Sequence, residues 1–235
     1  MSLPVAVLAG GMATRMRPLT ASVPKILLDV AGRPFAEHQI ELLKRAGVTE
    51  VVYCLGYLSE QVIAALGDGS EWQMKFTYVV DGETPLGTGG AVRLALPFLG
   101  NAFFVMYGDS YLRCDYGAVE RAFRASGTQG LMTVFRNEGR WDTSNVAFEN
   151  GRVVRYDKTS DAGMRYIDYG LGVLTRDAFA QWGAEDAFDL SAVYRGLIAR
   201  DELAGLEVTE RFYEIGSLEG LAETRALLER ERPQA

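Results

Sequence analysis

The chain predicts an α/β fold: a mostly parallel central sheet sandwiched between helices, with a strand-rich lobe in its second half. Three observations carry this expectation. The first half alternates short β-branched runs with stretches of helical period, the cadence of βαβ units. Beyond about residue 130 short strands take over, with Asn150-Gly151 as a hairpin signal. The length of 235 residues suits one domain of this class, so residues 1–235 are read as a single unit with halves at about 1–130 and 131–235.

Val5 to Leu8 reads as the opening strand. Pro34 to Ala46 reads as a helix, because Ala36, Ile40 and Leu43 recur at i, i+4, i+7 and Gly47 supplies a stop. Strands follow at Val51 to Leu55 and Phe76 to Val80, with a helix at Leu58 to Leu66 between them. Ala102 to Met106 is a continuous apolar run, as in a sheet covered on both faces. In the second half, strands are expected at Leu131 to Phe135, Asn145 to Glu149, Val153 to Asp157 and Tyr166 to Val173. Helical stretches are expected at Asp177 to Trp182 and Leu190 to Ala199, then a strand ending at Glu214 and a last helix from Ser217.

With 24 basic and 31 acidic residues the net charge is -7, which argues against a nucleic-acid or anionic-membrane footprint. A phosphate site must therefore be local, and Lys25 and Lys158, two of the four lysines, fall within motifs. Cys54 and Cys114 are too few for a disulfide framework or a four-ligand zinc site, so a reducing cytoplasm is expected. The apolar start from Leu3 to Ala9 lacks a basic flank and runs into glycines, unlike a signal peptide. His38 is the single histidine and lies in the first helix, which disfavours a Ser-His-Asp hydrolase.

Ligands of open α/β sheets bind beyond the carboxyl ends of the strands, which singles out three loops. After the first strand come Gly10 and Gly11, where main-chain N–H groups can approach a polyphosphate, with Arg15 and Arg17 to neutralise it. The loop lacks the Gly-Lys-Ser/Thr ending of a P-loop and the G-x-G-x-x-G dinucleotide pattern. Val23-Pro24-Lys25 adds an ammonium on a stiffened approach. The stretch Glu83 to Ala91, with Gly87, Thr88, Gly89 and Gly90, opens a helix whose free N–H groups could meet a nucleotide. Asp109 follows the apolar run ending at Met106, a strand-end carboxylate suited to a hard cation.

The run Leu8-Ala9-Gly10-Gly11-x-x-Thr14-Arg15-Met16-Arg17-Pro18-Leu19-Thr20, followed by Pro24-Lys25, resembles the signature of sugar-1-phosphate nucleotidylyltransferases. The likeness is strongest up to Asp109, and Pro85-Leu86-Gly87-Thr88-Gly89-Gly90 is similar to guanylyl-transferring members such as heptose and mannose 1-phosphate guanylyltransferases. It implies a Rossmann-like, GT-A-like three-layer sandwich. By the same resemblance Leu8, Ala9, Gly10, Gly11, Glu83, Gly87, Thr88, Gly89 and Gly90 would hold the nucleotide, and Lys25 and Arg15 would be catalytic. Asp109 and Glu214 would bind Mg²⁺, with Glu214 standing where the family usually has Asp. Asp157, Lys158, Asn145, Asp168 and Tyr169 would bind the acceptor.

The implied reaction is attack by a sugar 1-phosphate on the α-phosphorus of an NTP, giving an NDP-sugar and pyrophosphate. GTP stands ahead of UTP, CTP and dTTP, because a carboxylate such as Glu83 could accept from both the ring N–H and the amino group of guanine. Two alternatives stay open: a non-sugar acceptor such as phosphocholine, and a regulator that keeps the fold and binds nucleotide without turnover. No nucleic-acid or membrane partner is expected, and the oligomeric state is left open.

Overall fold

The computed structural model describes residues 2–82, 84–141, 143–159, 163–183 and 186–231, apart from the side chain of Arg15. Strand β1 (Val5–Ala9) leads through the glycine loop to a small hairpin, β2 (Asp29–Val30) and β3 (Arg33–Pro34), and then to helix α1 (Phe35–Arg45). Next come β4 (Glu50–Leu55), α2 (Ser59–Leu66), β5 (Lys75–Val80), α3 (Gly87–Ala95), β6 (Ala102–Tyr107), β7 (Ser110–Tyr111) and α4 (Tyr116–Ser126). The second half contains β8 (Gly130–Arg136), β9 (Val146–Glu149), β10 (Arg152–Tyr156), β11 (Tyr166–Thr175), α5 (Leu190–Ala199), β12 (Leu203–Val208), β13 (Tyr213–Glu214) and α6 (Leu218–Arg230).

Nine strands form one sheet in the order β5-β4-β1-β6-β11-β8-β12-β10-β9. The first four are mutually parallel. At β11 the direction reverses, and parallel pairing returns only between β8 and β12. The parallel character expected of the whole sheet thus belongs chiefly to its first half.

Alternation along each strand divides the core in two, as period-2 geometry requires. Val5 and Val7 of β1 and Phe104 and Met106 of β6 face one layer, packed with Ile40 of α1, Val62 of α2 and Val119 of α4. Ala6, Phe103 and Val105 face the opposite layer, with Val92 of α3 and Val193 of α5. A third cluster seats α6 through Leu221, Leu227 and Leu228 against Met16, Phe35 and Ile215. His38 is buried in α1, where Nε2 lies 2.8 Å from the Val30 carbonyl and burial lowers its pKa, a packing role.

Besides the two-residue strands β2, β3 and β7, helix α4 and strand β12 were not anticipated. Helix α4 is capped by Asp115, whose carboxylate accepts from Ala118 N–H at 3.0 Å, and it buries Tyr116, Val119 and Phe123 at i, i+3, i+7. Strand β12 carries Gly205 in its middle, which weakens its β pattern. A Cβ there would lie 2.5 Å from the Phe148 ring, so the glycine admits that side chain. The helix expected at Asp177 to Trp182 is a single 3-10 turn, Arg176–Phe179.

Candidate active site

Because β5, β4, β1 and β6 run parallel, their carboxyl ends open on one edge of the sheet, and a cleft of about 260 Å³ lies there. The two loop glycines serve it differently. A Cβ on Gly10 would come 3.2 Å from Gly56 N, and one on Gly56 would come 2.7 Å from Gly10 O, so these two backbones pack directly against each other. Nothing lies within 4 Å of a Cβ on Gly11, which faces open space at the cleft. Leu8 and Ala9 also line the cleft. The loop turns at Ala13 (φ 47°), whose carbonyl accepts from Thr20 Oγ1 at 2.8 Å.

Lys25 enters on a short 3-10 turn behind Pro24, and its Nζ donates to Asp109 Oδ2 at 2.8 Å. Asp109 is held from three directions. Gly108 N–H donates to Leu8 O at 2.8 Å, Ile215 N–H donates to Asp109 O at 2.9 Å, and the Gln39 amide donates to Ser110 O at 2.6 Å and Tyr107 O at 3.3 Å. The buried Gln39 was not singled out from sequence; a polar residue inside the apolar stripe of α1 was its available signal.

Glu214 reaches the same place through β13, which pairs with β7 so that Glu214 faces Ser110. A Cβ on Gly216 would lie 3.0 Å from Asp109 Oδ2 and 2.5 Å from Glu214 Oε2, so both carboxylate oxygens border one point. Two hard oxygen donors converging in this way fit a divalent cation. The extra methylene of Glu214, relative to aspartate, lets its carboxylate fold over the start of α6. There it accepts from Gly216 N–H and, at 2.8 Å, from Ser217 Oγ, a favourable place for an anion. Among the described residues no group of three or more His, Cys, Asp or Glu side chains forms a metal cluster.

The stretch at the start of α3 differs from expectation. Gly87 and Thr88 border the cleft, but Gly89 and Gly90 turn inward. Their N–H groups donate to Phe188 O at 2.9 and 3.3 Å, and a Cβ on Gly89 would collide with the Phe188 ring. These two glycines therefore dock α3 on the segment before α5; their amides already have a protein acceptor, and neither glycine lines the cleft. Glu83 and the Arg15 side chain fall outside the described residues.

On the acceptor side, Lys158 Nζ lies 3.3 Å from Asp189 Oδ1 and 5.8 Å from the centre of the Tyr107 ring, which borders the cleft. Thr88 Oγ1 donates to Asp189 Oδ2 at 3.0 Å, so a chain of polar contacts links Lys158 to the cleft. Burial would raise the Asp189 carboxyl, but hydrogen bonds from Ser191 and Thr88 and the Lys158 charge bring it down to about 2. Asp189 was legible only as a helix cap. Asp168 accepts from Tyr156 Oη at 2.8 Å, and burial raises its pKa against that bond.

Of the remaining acceptor expectations, Tyr169 needs correction. Tyr169, one residue on from Asp168, lands on the opposite face of β11; its ring packs with Phe135 and Phe212 in the core, and its hydroxyl accepts from Arg113 N–H at 3.2 Å. Asp157 closes its own turn by accepting from Thr159 N–H and Oγ1 at 2.9 and 2.7 Å. Asn145 Oδ1 accepts from Asp168 N–H at 2.8 Å, tying the approach to β9 onto β11.

Residues 5–151 match the nucleotidyl transferase family model. The chain belongs to that family. It is 30% identical over 227 residues to the N-acetylmuramate alpha-1-phosphate uridylyltransferase of Neisseria meningitidis, covering 94% of this chain and 96% of that protein. It is 28% identical over 216 residues to the D-glycero-alpha-D-manno-heptose 1-phosphate guanylyltransferase of Campylobacter jejuni, covering 88% of this chain and 96% of the relative. Other curated relatives are matched over a smaller share of their own length, 30% in one case and 44% in another. HddC from Yersinia pseudotuberculosis, solved in complex with GMP-PN, shares the fold with TM-score 0.79 at 20% identity, over 96% of this chain and 99% of that one. The family is one of sugar-1-phosphate nucleotidyltransferases, and the Rossmann-like α/β architecture is that of its solved members. Among the described residues no helix is long and apolar enough to cross a membrane.

Proposed function

We propose that this protein transfers a nucleoside monophosphate from an NTP to a sugar 1-phosphate, releasing pyrophosphate and forming an NDP-sugar. The observation that carries the reading is the Lys25–Asp109 pair, 2.8 Å apart, beside the open glycine loop in one cleft. The full-length likeness to a uridylyltransferase and a guanylyltransferase of sugar 1-phosphates supports the same chemistry.

The acceptor phosphate is ionised at neutral pH and attacks without a general base, so positioning and charge neutralisation carry the rate. The loop from Leu8 to Gly11 receives the polyphosphate along its backbone, and Arg15 neutralises the departing pyrophosphate. Lys25 holds its ammonium against the α-phosphate oxygens, where negative charge concentrates as the new bond forms. Asp109 and Glu214 would hold a divalent cation, Mg²⁺ by donor type, which when bound supplies further charge neutralisation at the reacting phosphates. Lys158 orients the acceptor phosphate, with Asp189 keeping the ammonium in place and Asp168 offering an acceptor to sugar hydroxyls. The reading implies a compartment that supplies NTPs, and the cytoplasm is such a compartment.

The test is pyrophosphate release from a matrix of four NTPs and several phosphorylated acceptors with Mg²⁺. Release that needs both an NTP and a sugar 1-phosphate is expected. Nucleotide binding with no release from any combination would leave only a regulator.

A further inference from the structure

The loop after β8 is built with more care than a surface connection requires. Asn137, 2% exposed, stitches it together: its N–H donates to Arg165 O at 3.0 Å, and its own carbonyl accepts from Arg140 N–H at 3.1 Å. Its side-chain amide donates to Ser144 Oγ at 3.0 Å, and Oδ1 accepts from Trp141 N–H at 3.0 Å. The backbone that carries Arg140 and Trp141 is therefore fixed.

Trp141 is 44% exposed, yet its ring is held in place. The Arg211 guanidinium lies 3.7 Å from its centre and 4.7 Å from that of Tyr213, and Glu223 of α6 pairs with the same guanidinium. Two cavities meet at this indole. One, of about 490 Å³, includes Arg211 and runs to Asp109 and Glu214; the other, of about 780 Å³, includes Arg136, Arg165 and the buried Met164. Arg140 and Trp141 line both, so the two are continuous around the ring. Arg211 borders only the first, so it covers one face of the indole and leaves the other to the second cavity. A fixed, half-exposed indole offers a flat apolar surface that suits the C–H face of a sugar ring.

Charge gives the second cavity its chemistry. Arg140 is answered by Glu138 at 3.1 Å, whereas the side chains of Arg136 and Arg165 have no partner among the described residues. On a chain of net charge -7, such a concentration of guanidinium groups is a local device. Their planar forks match a carboxylate or a phosphate. We infer that the acceptor carries a second acidic group beyond its 1-phosphate, seated at Arg136 and Arg165, with its sugar ring against Trp141. This deepens the nucleotidyl-transfer reading and rests on it for placing the 1-phosphate at Asp109 and Glu214.

Binding decides the inference apart from turnover. The intact protein with Mg²⁺ is titrated with acceptors that differ only in an acidic group. Glucose 1-phosphate is set against glucuronic acid 1-phosphate and glucose 1,6-bisphosphate, and N-acetylglucosamine 1-phosphate against its 3-O-carboxyethyl ether. An acidic member should bind roughly tenfold or more tightly than its neutral counterpart, the worth of a charge-assisted hydrogen bond, and added salt should shrink the advantage. Arg136→Ala and Arg165→Ala should each bring the ratio toward one, while Arg165→Lys keeps part of it. Both side chains are exposed, so melting temperatures should hold. The acidic acceptor should also change the tryptophan fluorescence of the native protein and not that of Trp141→Phe. Equal affinity within every pair, a ratio that both alanine variants leave untouched, or a fluorescence change that persists in Trp141→Phe would each overturn the inference, whatever the turnover. An arginine-dependent preference without pyrophosphate release from any acceptor would instead sink the transfer reaction and leave the acidic-group pocket standing.

Discussion

The two halves of the molecule build their parts of the site by different means. The half proposed to receive the nucleotide uses backbone: one short loop after β1, with Gly10 packed on Gly56 and Gly11 left open, plus one lysine and one aspartate brought to the same strand edge. The half proposed to bind the acceptor uses side chains in and beside β10, β11 and the start of α5, and these satisfy one another: Lys158 with Asp189, Tyr156 with Asp168, Asp168 N–H with Asn145. A phosphate-binding backbone constrains consecutive residues, so it leaves a contiguous motif. A pocket assembled from separated side chains does not, and a change in one segment can be balanced by another.

Substitutions sharpen that contrast. Lys25→Ala should have the largest effect, removing about 2.7 to 4 kcal/mol of transition-state stabilisation, roughly a hundred- to thousandfold in turnover. Its melting temperature should stay near that of the native protein, since the ammonium is partly exposed and pairs with one carboxylate. Turnover close to native would break the assignment of the nucleotide half.

Asp109→Asn comes next. It should lower activity and raise the Mg²⁺ concentration needed for half-maximal rate by roughly 10- to 100-fold, the scale reported for disturbed metal sites. A metal titration curve that superimposes on the native one would remove Asp109 from the cation site.

Gly89→Ala probes the docking of α3. A Cβ facing the Phe188 ring should destabilise the fold by about 1 to 3 kcal/mol, read as a lowered melting temperature. If the fold is unaffected and only nucleotide binding weakens, Gly89 belongs to the nucleotide site after all.

In the acceptor half, Lys158→Ala should raise the KM for the sugar 1-phosphate several-fold, roughly up to tenfold, while leaving the KM for the NTP alone. An equal rise in both would erase the division between the halves. The smallest effect belongs to Tyr169→Phe, which removes the acceptor of Arg113 N–H and should cost about 0.5 to 1.5 kcal/mol in stability with no change in acceptor KM. A large change in that KM would return Tyr169 to the pocket.

The elements along β1, α1, β4, α2, β5 and β6 were legible because each is a short apolar, β-branched run or a helical repeat, with a glycine or turn at its end. Helix α4 carries equally clear signals in Asp115 and the Tyr116, Val119, Phe123 stripe. Strand β12 was obscured by Gly205, whose reason lies in Phe148 across the sheet. The same division applies to the site. Position at a strand end pointed to Asp109; Gln39 and Asp189 showed their purpose only when the loops they hold came into contact.

By itself, the sequence determined the glycine loop, the lysine at position 25 and the strand-end carboxylate at position 109, because each depends on neighbouring residues and on the parallel run of the first strands. Tertiary structure alone decided which face of β11 carries Asp168 and which buries Tyr169, and where the amides of Gly89 and Gly90 find their acceptor. It also decided that Glu214 folds over the start of α6 beside Asp109. Those outcomes turn on strand register and on contacts between segments distant in the chain, which local periodicity does not encode.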